Sequence, residues 1–236
     1  MTETILLLCL TAASLGFFHT LLGPDHYLPF VLMAKARKWG VAKTLWVTSL
    51  CGFGHVGSSV AIGLLGVAFG VGVTNLTNIE SVRGEIAAWA LIAFGLIYAV
   101  WGIRKAVRKE AHVHHHAHSD GTIHQHTHNH EEDHLHVHEK KGEFLTPWVL
   151  FVIFVLGPCE PLIPLLMYPA ATESLWGVVA VTGIFGITTL LTMLGTVFLS
   201  LKAVSFFPLK PLERFSHVIA GCVICFSGIG IRFLGL

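Results

Sequence analysis

The sequence predicts an all-α membrane protein: six transmembrane helices in two inverted three-helix repeats, the first helix of each repeat broken by a Gly-Pro pair. Three observations carry this. Of 236 residues, 53% are hydrophobic and only 12% charged, with a mean hydropathy of +0.70, where a soluble domain carries roughly a quarter charged residues. Six apolar runs have the length of about 20 residues that a bilayer demands. A Gly-Pro element recurs at Gly23-Pro24 and Gly157-Pro158. The composition excludes a soluble globule and a disordered chain, which needs few apolar residues and many charges. A net charge of +1 leaves no basic field for nucleic acid.

The six runs cover residues 4–34, 44–73, 85–103, 145–171, 175–201 and 215–234. They show no period-2 alternation, so a strand barrel is excluded. The first run has no basic residue before it and no small-residue cleavage site, and it outlasts a signal peptide, so it reads as a retained span. Basic residues set the orientation. Thirteen of the fifteen lie in the loops after spans one, three and five, leaving Arg83 and Arg232 opposite. The expected placement is a multi-pass protein of the inner membrane with both termini outside and the long central loop in the cytoplasm.

The halves resemble each other. Gly23-Pro24-Asp25-His26 aligns with Gly157-Pro158-Cys159-Glu160, Phe53-Gly54-His55 with Phe185-Gly186-Ile187, and Ala88 and Ile92 with Ala220 and Ile224. Three spans per unit, an odd count, invert the second copy in the bilayer, and paired broken helices point to a midplane site. The resulting division is 1–110 for the first repeat, 111–143 for the loop and 144–236 for the second repeat. Proline removes a backbone donor and turns the preceding residue away from helix. Groups freed in this way are tolerated in a membrane only against protein or a water-filled cavity. The bland alternative is that both prolines merely kink packed helices.

Ionisable residues gather at the breaks. His19, Asp25 and His26 lie on the first span, His55 on the second, and Cys159 and Glu160 at the break of the fourth. A charge in hydrocarbon costs roughly 2.5–3.5 kcal/mol even on the lenient insertion scale, so such residues are functional candidates. His19 and His26 stand seven apart, on one face of an unbroken helix; the Gly-Pro break alters that spacing. Imidazoles with one or two carboxylates suit a borderline divalent transition ion rather than Mg²⁺ or Ca²⁺. The candidate metal ligands are therefore His19, Asp25, His26, His55, Cys159 and Glu160. Arg83, Glu85 and His217 read as solvated or snorkelling groups at span ends.

Between His112 and His138 stand twelve histidines interspersed with acids. The stretch cannot bury a core and is expected to lack stable structure without metal. It suits weak binding of nickel, zinc or copper at several stoichiometries, with a pH-responsive tether as the bland alternative. The five cysteines, Cys9, Cys51, Cys159, Cys222 and Cys225, all fall inside spans, where cysteine usually acts as a small apolar residue. Cys222-x-x-Cys225 has redox spacing, although within a helix it need only set two small side chains on one face.

His19…Asp25-His26 followed by Gly54-His55 resembles the nickel/cobalt permeases, including the urease-associated permeases and the efflux proteins with a histidine-rich loop. Gly157-Pro158-Cys159-Glu160-Pro161 resembles the Pro-Cys element of the efflux members. The resemblance implies transport of Ni²⁺ or Co²⁺ as substrate, with the first-span histidines and aspartate contacting the ion and no permanently bound cofactor. The expected coupling is proton exchange, because ligands must be deprotonated to bind, and the histidine tract points to export. The chain is then a transporter and not an enzyme, with the lipid bilayer as its surroundings, a homo-oligomer admitted, and no ATP-binding motif. The Gly-Pro-Cys element also resembles thiol-based electron conduits of the cytochrome c biogenesis type. Those need a cysteine in each half, and here Asp25 stands opposite Cys159. That alternative would use Cys159 with Cys222 and Cys225.

Overall fold

The computed structural model describes residues 3–108, 113–117, 123–127, 145–172, 175–205 and 214–234. Among them are eight α-helices: α1 (Glu3–Leu22), α2 (Leu28–Ala36), α3 (Val41–Ala68), α4 (Val73–Arg108), α5 (Leu145–Leu156), α6 (Leu162–Thr172), α7 (Leu175–Ser205) and α8 (Ser216–Leu234). A 3₁₀ turn, Pro24–His26, separates α1 from α2. Five helices are long and apolar enough to cross a membrane: Glu3–Leu22, Val41–Ala68, Val73–Val107, Leu175–Val204 and Ser216–Leu234. At 12 and 11 residues, α5 and α6 rise only about 18 and 17 Å, too little for either to cross alone.

Both breaks fall where the prolines demand. α1 stops before Gly23-Pro24 and α5 stops before Gly157-Pro158. α3 ends on Gly70, whose φ of +65° suits a residue without a Cβ. The third apolar run belongs to a helix longer than expected. α4 starts at Val73, twelve residues before the apolar stretch, and carries the polar Glu80 and Arg83 into the helical bundle.

The outward face is apolar. Phe53, Ile97, Leu191 and Phe226 each expose more than 60% of their surface, a belt that requires lipid rather than water around it. Inside, Phe30, Met33, Cys51, Leu150, Phe154, Met193 and Ile224 form one buried cluster. Cys9, Ala12, Cys159, Leu162, Val181 and Phe185 belong to a second. α4 lies along α8 and α1 along α7. The α4–α8 approach is close enough to require glycine: a Cβ on Gly221 would stand 2.4 Å from the Ala99 nitrogen, and one on Gly95 would stand 2.4 Å from that of Cys225.

At the basic end of the bundle Arg37 donates to the Tyr98 hydroxyl at 3.2 Å and to Thr146 Oγ1 at 2.8 Å. His217 is buried there, 2.8 Å from Tyr98 Oη and 3.0 Å from Lys105 Nζ. It is therefore not the solvated span-end group the sequence suggests. Two pieces of the histidine-rich stretch, expected to lack regular structure, are extended and paired. Val113–Ala117 runs antiparallel to Ile123–Thr127, with His114 opposite His126 and His116 opposite His124.

Candidate functional site

The first break builds the site. Pro24 cannot donate to the α1 ladder, so Gly23 turns extended (φ −81°, ψ 98°). The chain then satisfies itself locally. Gly23 N–H bonds the His19 carbonyl at 3.1 Å, His26 N–H bonds that of Gly23 at 3.1 Å, and Val31 N–H bonds that of Tyr27 at 3.2 Å as α2 begins. This tight turn folds His26 back over His19, ring centroids 4.9 Å apart. α3 brings His55 against both, at 5.1 Å from His26 and 6.4 Å from His19. One ring nitrogen from each histidine lies within 4.8 Å of the others.

Hydrogen bonds orient the rings. His26 Nδ1 lies 3.1 Å from Asp25 Oδ1 and 3.3 Å from the Gly23 carbonyl, both acceptors, so Nδ1 carries the proton. His55 Nδ1 likewise donates to the Phe154 carbonyl at 3.4 Å, which Pro158 has no N–H to serve. Both tautomers leave Nε2 as a lone pair. Nε2 of His19, His26 and His55 are all buried, with no hydrogen-bond partner among the described residues. Three clustered imidazoles, two of them backed by a carboxylate and a backbone carbonyl, are an arrangement in which histidine holds a transition ion.

Of the six expected ligands, then, the fold brings three together. Asp25 stands behind His26 rather than beside the lone pairs. Cys159 is fully buried but is engaged through its backbone, whose N–H donates to Glu80 Oε2 at 3.0 Å. Glu160 is exposed. Neither Cys159 nor Glu160 joins the histidine group among the described residues.

A second polar group, which the sequence did not reveal as a site, braces the second break. Glu80 is fully buried and accepts from Ser59 Oγ at 2.9 Å. It is ion-paired with Arg83, one turn along α4. Arg83 Nη2 donates to Ser58 Oγ at 2.6 Å and to the Val155 carbonyl at 2.7 Å, and reaches the Gly157 carbonyl at 3.4 Å. Arg83 is thus held inside the bundle and does not snorkel at a span end. The signal for this group was the Glu80-x-x-Arg83 spacing, which joins opposite charges on one helix face. It preceded the apolar run, so Arg83 read as a solvated or snorkelling span-end group and Glu80 was not singled out.

The described cysteines are all free; Cys222 is exposed, whereas Cys9, Cys51, Cys159 and Cys225 are buried. α4 serves as a ruler between two of them. Glu80 touches Cys159 and Gly95 touches Cys225. Fifteen residues of helix separate those contacts, roughly 22 Å at about 1.5 Å per residue. Cys159 and Cys225 therefore sit at different depths of the bundle.

Residues 28–229 match a family described as cytochrome C biogenesis protein transmembrane region. No curated protein and no solved structure matches the chain. The matched stretch takes in 202 of the 236 residues, from the start of α2 to within α8. It overturns the resemblance to the nickel/cobalt permeases, and with it the expectation of Ni²⁺ or Co²⁺ as a transported substrate. That resemblance rested on three short motifs, and His19, Asp25 and His26 all precede residue 28. Short polar motifs in apolar helices recur across unrelated membrane proteins; a match over six-sevenths of the chain is the more specific signal.

Proposed function

The chain belongs to the cytochrome C biogenesis protein transmembrane region family, and on that premise we propose that it is a membrane conduit for reducing equivalents, working by thiol–disulfide exchange at Cys159. The observation that carries the reading is Cys159 itself, a free buried thiol held at the Gly-Pro break of a family member. A thiolate attacks one sulfur of a disulfide, the new S–S bond forms as the old one breaks, and the displaced sulfur leaves as thiolate. A second thiol then resolves the mixed disulfide, so two electrons pass from donor dithiol to acceptor disulfide. Cys9 shares the buried cluster of Cys159, which favours it as that second thiol over Cys225, whose α4 contact lies roughly 22 Å from that of Cys159, and over Cys222, which precedes Cys225 by three residues on α8.

The reading includes six spans, with α5 and α6 together making the fourth, in two inverted repeats of an inner-membrane protein. The thirteen basic residues of the odd loops support termini outside and the histidine-rich loop inside. Contacts of α3 with α7 and α4 with α8, the helices that the internal repeat equates, support the repeat.

The test is transfer in proteoliposomes, with reduced glutathione outside and a trapped aromatic disulfide inside, reading release of its coloured thiolate. Release is expected from the native chain and its loss from Cys159→Ser and from Cys9→Ser. Undiminished release from a chain with all five cysteines replaced by serine or alanine overturns the reading.

A specific observation favours a second role for the same region. One ring nitrogen from each of three histidines lies within 4.8 Å of the others, all three Nε2 atoms are buried and unpartnered among the described residues, and the rings of His26 and His55 are fixed from behind; this supports a resident metal centre. Three imidazoles with an open fourth position suit Zn²⁺, and Cu²⁺ heads the affinity order for such sites. Binding would draw the nitrogens together, to about 3.3 Å apart for tetrahedral Zn–N bonds of 2.0–2.1 Å. Metal analysis of the purified chain after Zn²⁺ loading and desalting checks this. The histidine-rich stretch contributes its own ions, so His55→Gln is expected to retain about one equivalent fewer than the native chain, and a stoichiometry unchanged by the substitution rules the centre out.

A further inference from the structure

We propose that Glu80 and Arg83 are positioning residues, a side-chain splint across the second helix break that fixes where Cys159 sits. In an unbroken helix the N–H of Cys159 would bond the carbonyl of Val155, four residues back. Here that bond is absent and both of its groups are satisfied by α4. Cys159 N–H donates to Glu80 Oε2 at 3.0 Å, and the Val155 carbonyl accepts from Arg83 Nη2 at 2.7 Å. The ion pair between Glu80 and Arg83 closes the circuit. One missing backbone hydrogen bond is thus replaced by a relay of N–H, carboxylate, guanidinium and carbonyl.

The chemistry explains why both members are ionic. A buried ion pair on its own roughly balances desolvation against attraction. At this break, however, it serves an amide and two carbonyls that no water in the hydrocarbon would reach, and charged partners make the stronger hydrogen bonds. Ser58 and Ser59 of α3 fill remaining positions on the pair. The splint therefore joins α3 and α4 of the first half to the α5–α6 break of the second.

The first break needs no such device. Its 3₁₀ turn satisfies His26 and Tyr27 from Gly23 and Pro24, and no side chain from another helix is used on those amides. The difference leaves the second break able to open if Glu80 or Arg83 lets go, with Cys159 the residue whose access changes. In its consequence for electron transfer this rests on the thiol reading given above; the position of Cys159 does not.

The experiment measures alkylation by N-ethylmaleimide, cysteine by cysteine, by mass spectrometry of the full chain in lipid nanodiscs. Native Cys159 is expected to react slowly. Glu80→Gln and Arg83→Lys are expected to speed Cys159 by about tenfold or more, as loss of a buried charge partner implies, while Cys51, buried in the other cluster, stays slow. Equal acceleration of Cys51 and Cys159 would mean general loosening and overturns the proposal, as does an unchanged Cys159. Should neither variant assemble, Ser58→Ala removes a single partner of Arg83 and is expected to speed Cys159 by about threefold, the worth of one hydrogen bond; no change there overturns it too. Alkylation and electron transfer separate the two ideas. Lost transfer in Cys159→Ser with unmoved alkylation in the splint variants removes only the splint, and the converse removes only the thiol reading.

Discussion

His19 and His26 are seven residues apart in the chain, yet their rings meet edge to face with centroids 4.9 Å apart. Seven residues of straight helix would separate them by about 10.5 Å along the axis. The difference is the work of two residues. Pro24 ends the α1 ladder, and Gly23 lets the following 3₁₀ turn lie against it. The histidine centre is thus a product of backbone geometry, and altering that turn should reach the rings before it reaches the fold.

Gly23→Ala tests the link. The backbone angles at Gly23 suit alanine, but its Cβ would stand 2.6 Å from His26 Nδ1 and 2.9 Å from Asp25 Oδ1. The ring and carboxylate must move, at a cost of about 1–3 kcal/mol for such overpacking. The expected outcome is a lowered unfolding midpoint together with loss of the one Zn²⁺ equivalent held at the histidine centre. A variant that keeps native retention would show that the turn does not set the ring positions.

Asp25→Asn separates a ligand from an orienting group. The substituted amide can still accept from His26 Nδ1 but without charge, so the ring keeps its place and loses basicity. Zn²⁺ affinity of the centre is expected to fall about 10–100-fold, the usual effect of an outer carboxylate, whereas His19→Gln or His55→Gln removes a ligand and should abolish the one equivalent the centre holds. Competition titration against a chromophoric chelator reads both. Equal losses from Asp25→Asn and His55→Gln would place the carboxylate among the ligands.

How far all this was legible in the sequence depends on the residue. Both breaks were, because proline's missing N–H acts locally whatever surrounds it, and His19, His26 and His55 stood out against hydrocarbon. Glu80 and Arg83 did not. They precede the apolar stretch of α4, and their roles come from partners on α3 and α5, Ser58 and Val155, which are remote in sequence. Glu160 looked like a ligand because it aligns with His26, but the second break lacks the 3₁₀ turn that folds His26 inward, and Glu160 faces out. The family was misread for a related reason. Three short motifs outweighed a pattern spread over the whole chain, which no single residue displays.

The depth difference between thiols gives a further expectation. A disulfide needs Cα atoms within about 7 Å, and α4 sets Cys159 and Cys225 roughly 22 Å apart. Mild oxidation of the purified chain followed by peptide mapping should yield no Cys159–Cys225 link. Its appearance within one chain would require a rearrangement that unzips α4 from α8, contrary to the packing at Gly95 and Gly221.

That packing carries the last prediction. At Gly221 an added Cβ would meet the Ala99 nitrogen at 2.4 Å and its Cα at 2.7 Å. These are backbone atoms of a long helix and have no rotamer through which to escape. α4 and α8 would have to separate, and in lipid close backbone contact is what holds such helices together. Gly221→Ala should therefore destabilise by about 1–3 kcal/mol or more. Gly183 of α7 has nothing within 4 Å of the corresponding position, so Gly183→Ala should be neutral or stabilise by up to about 1 kcal/mol through helix propensity. Unfolding of the two variants by titrated detergent, compared side by side, reads the difference. Similar midpoints would mean that the α4–α8 contact is not the one that secures the bundle.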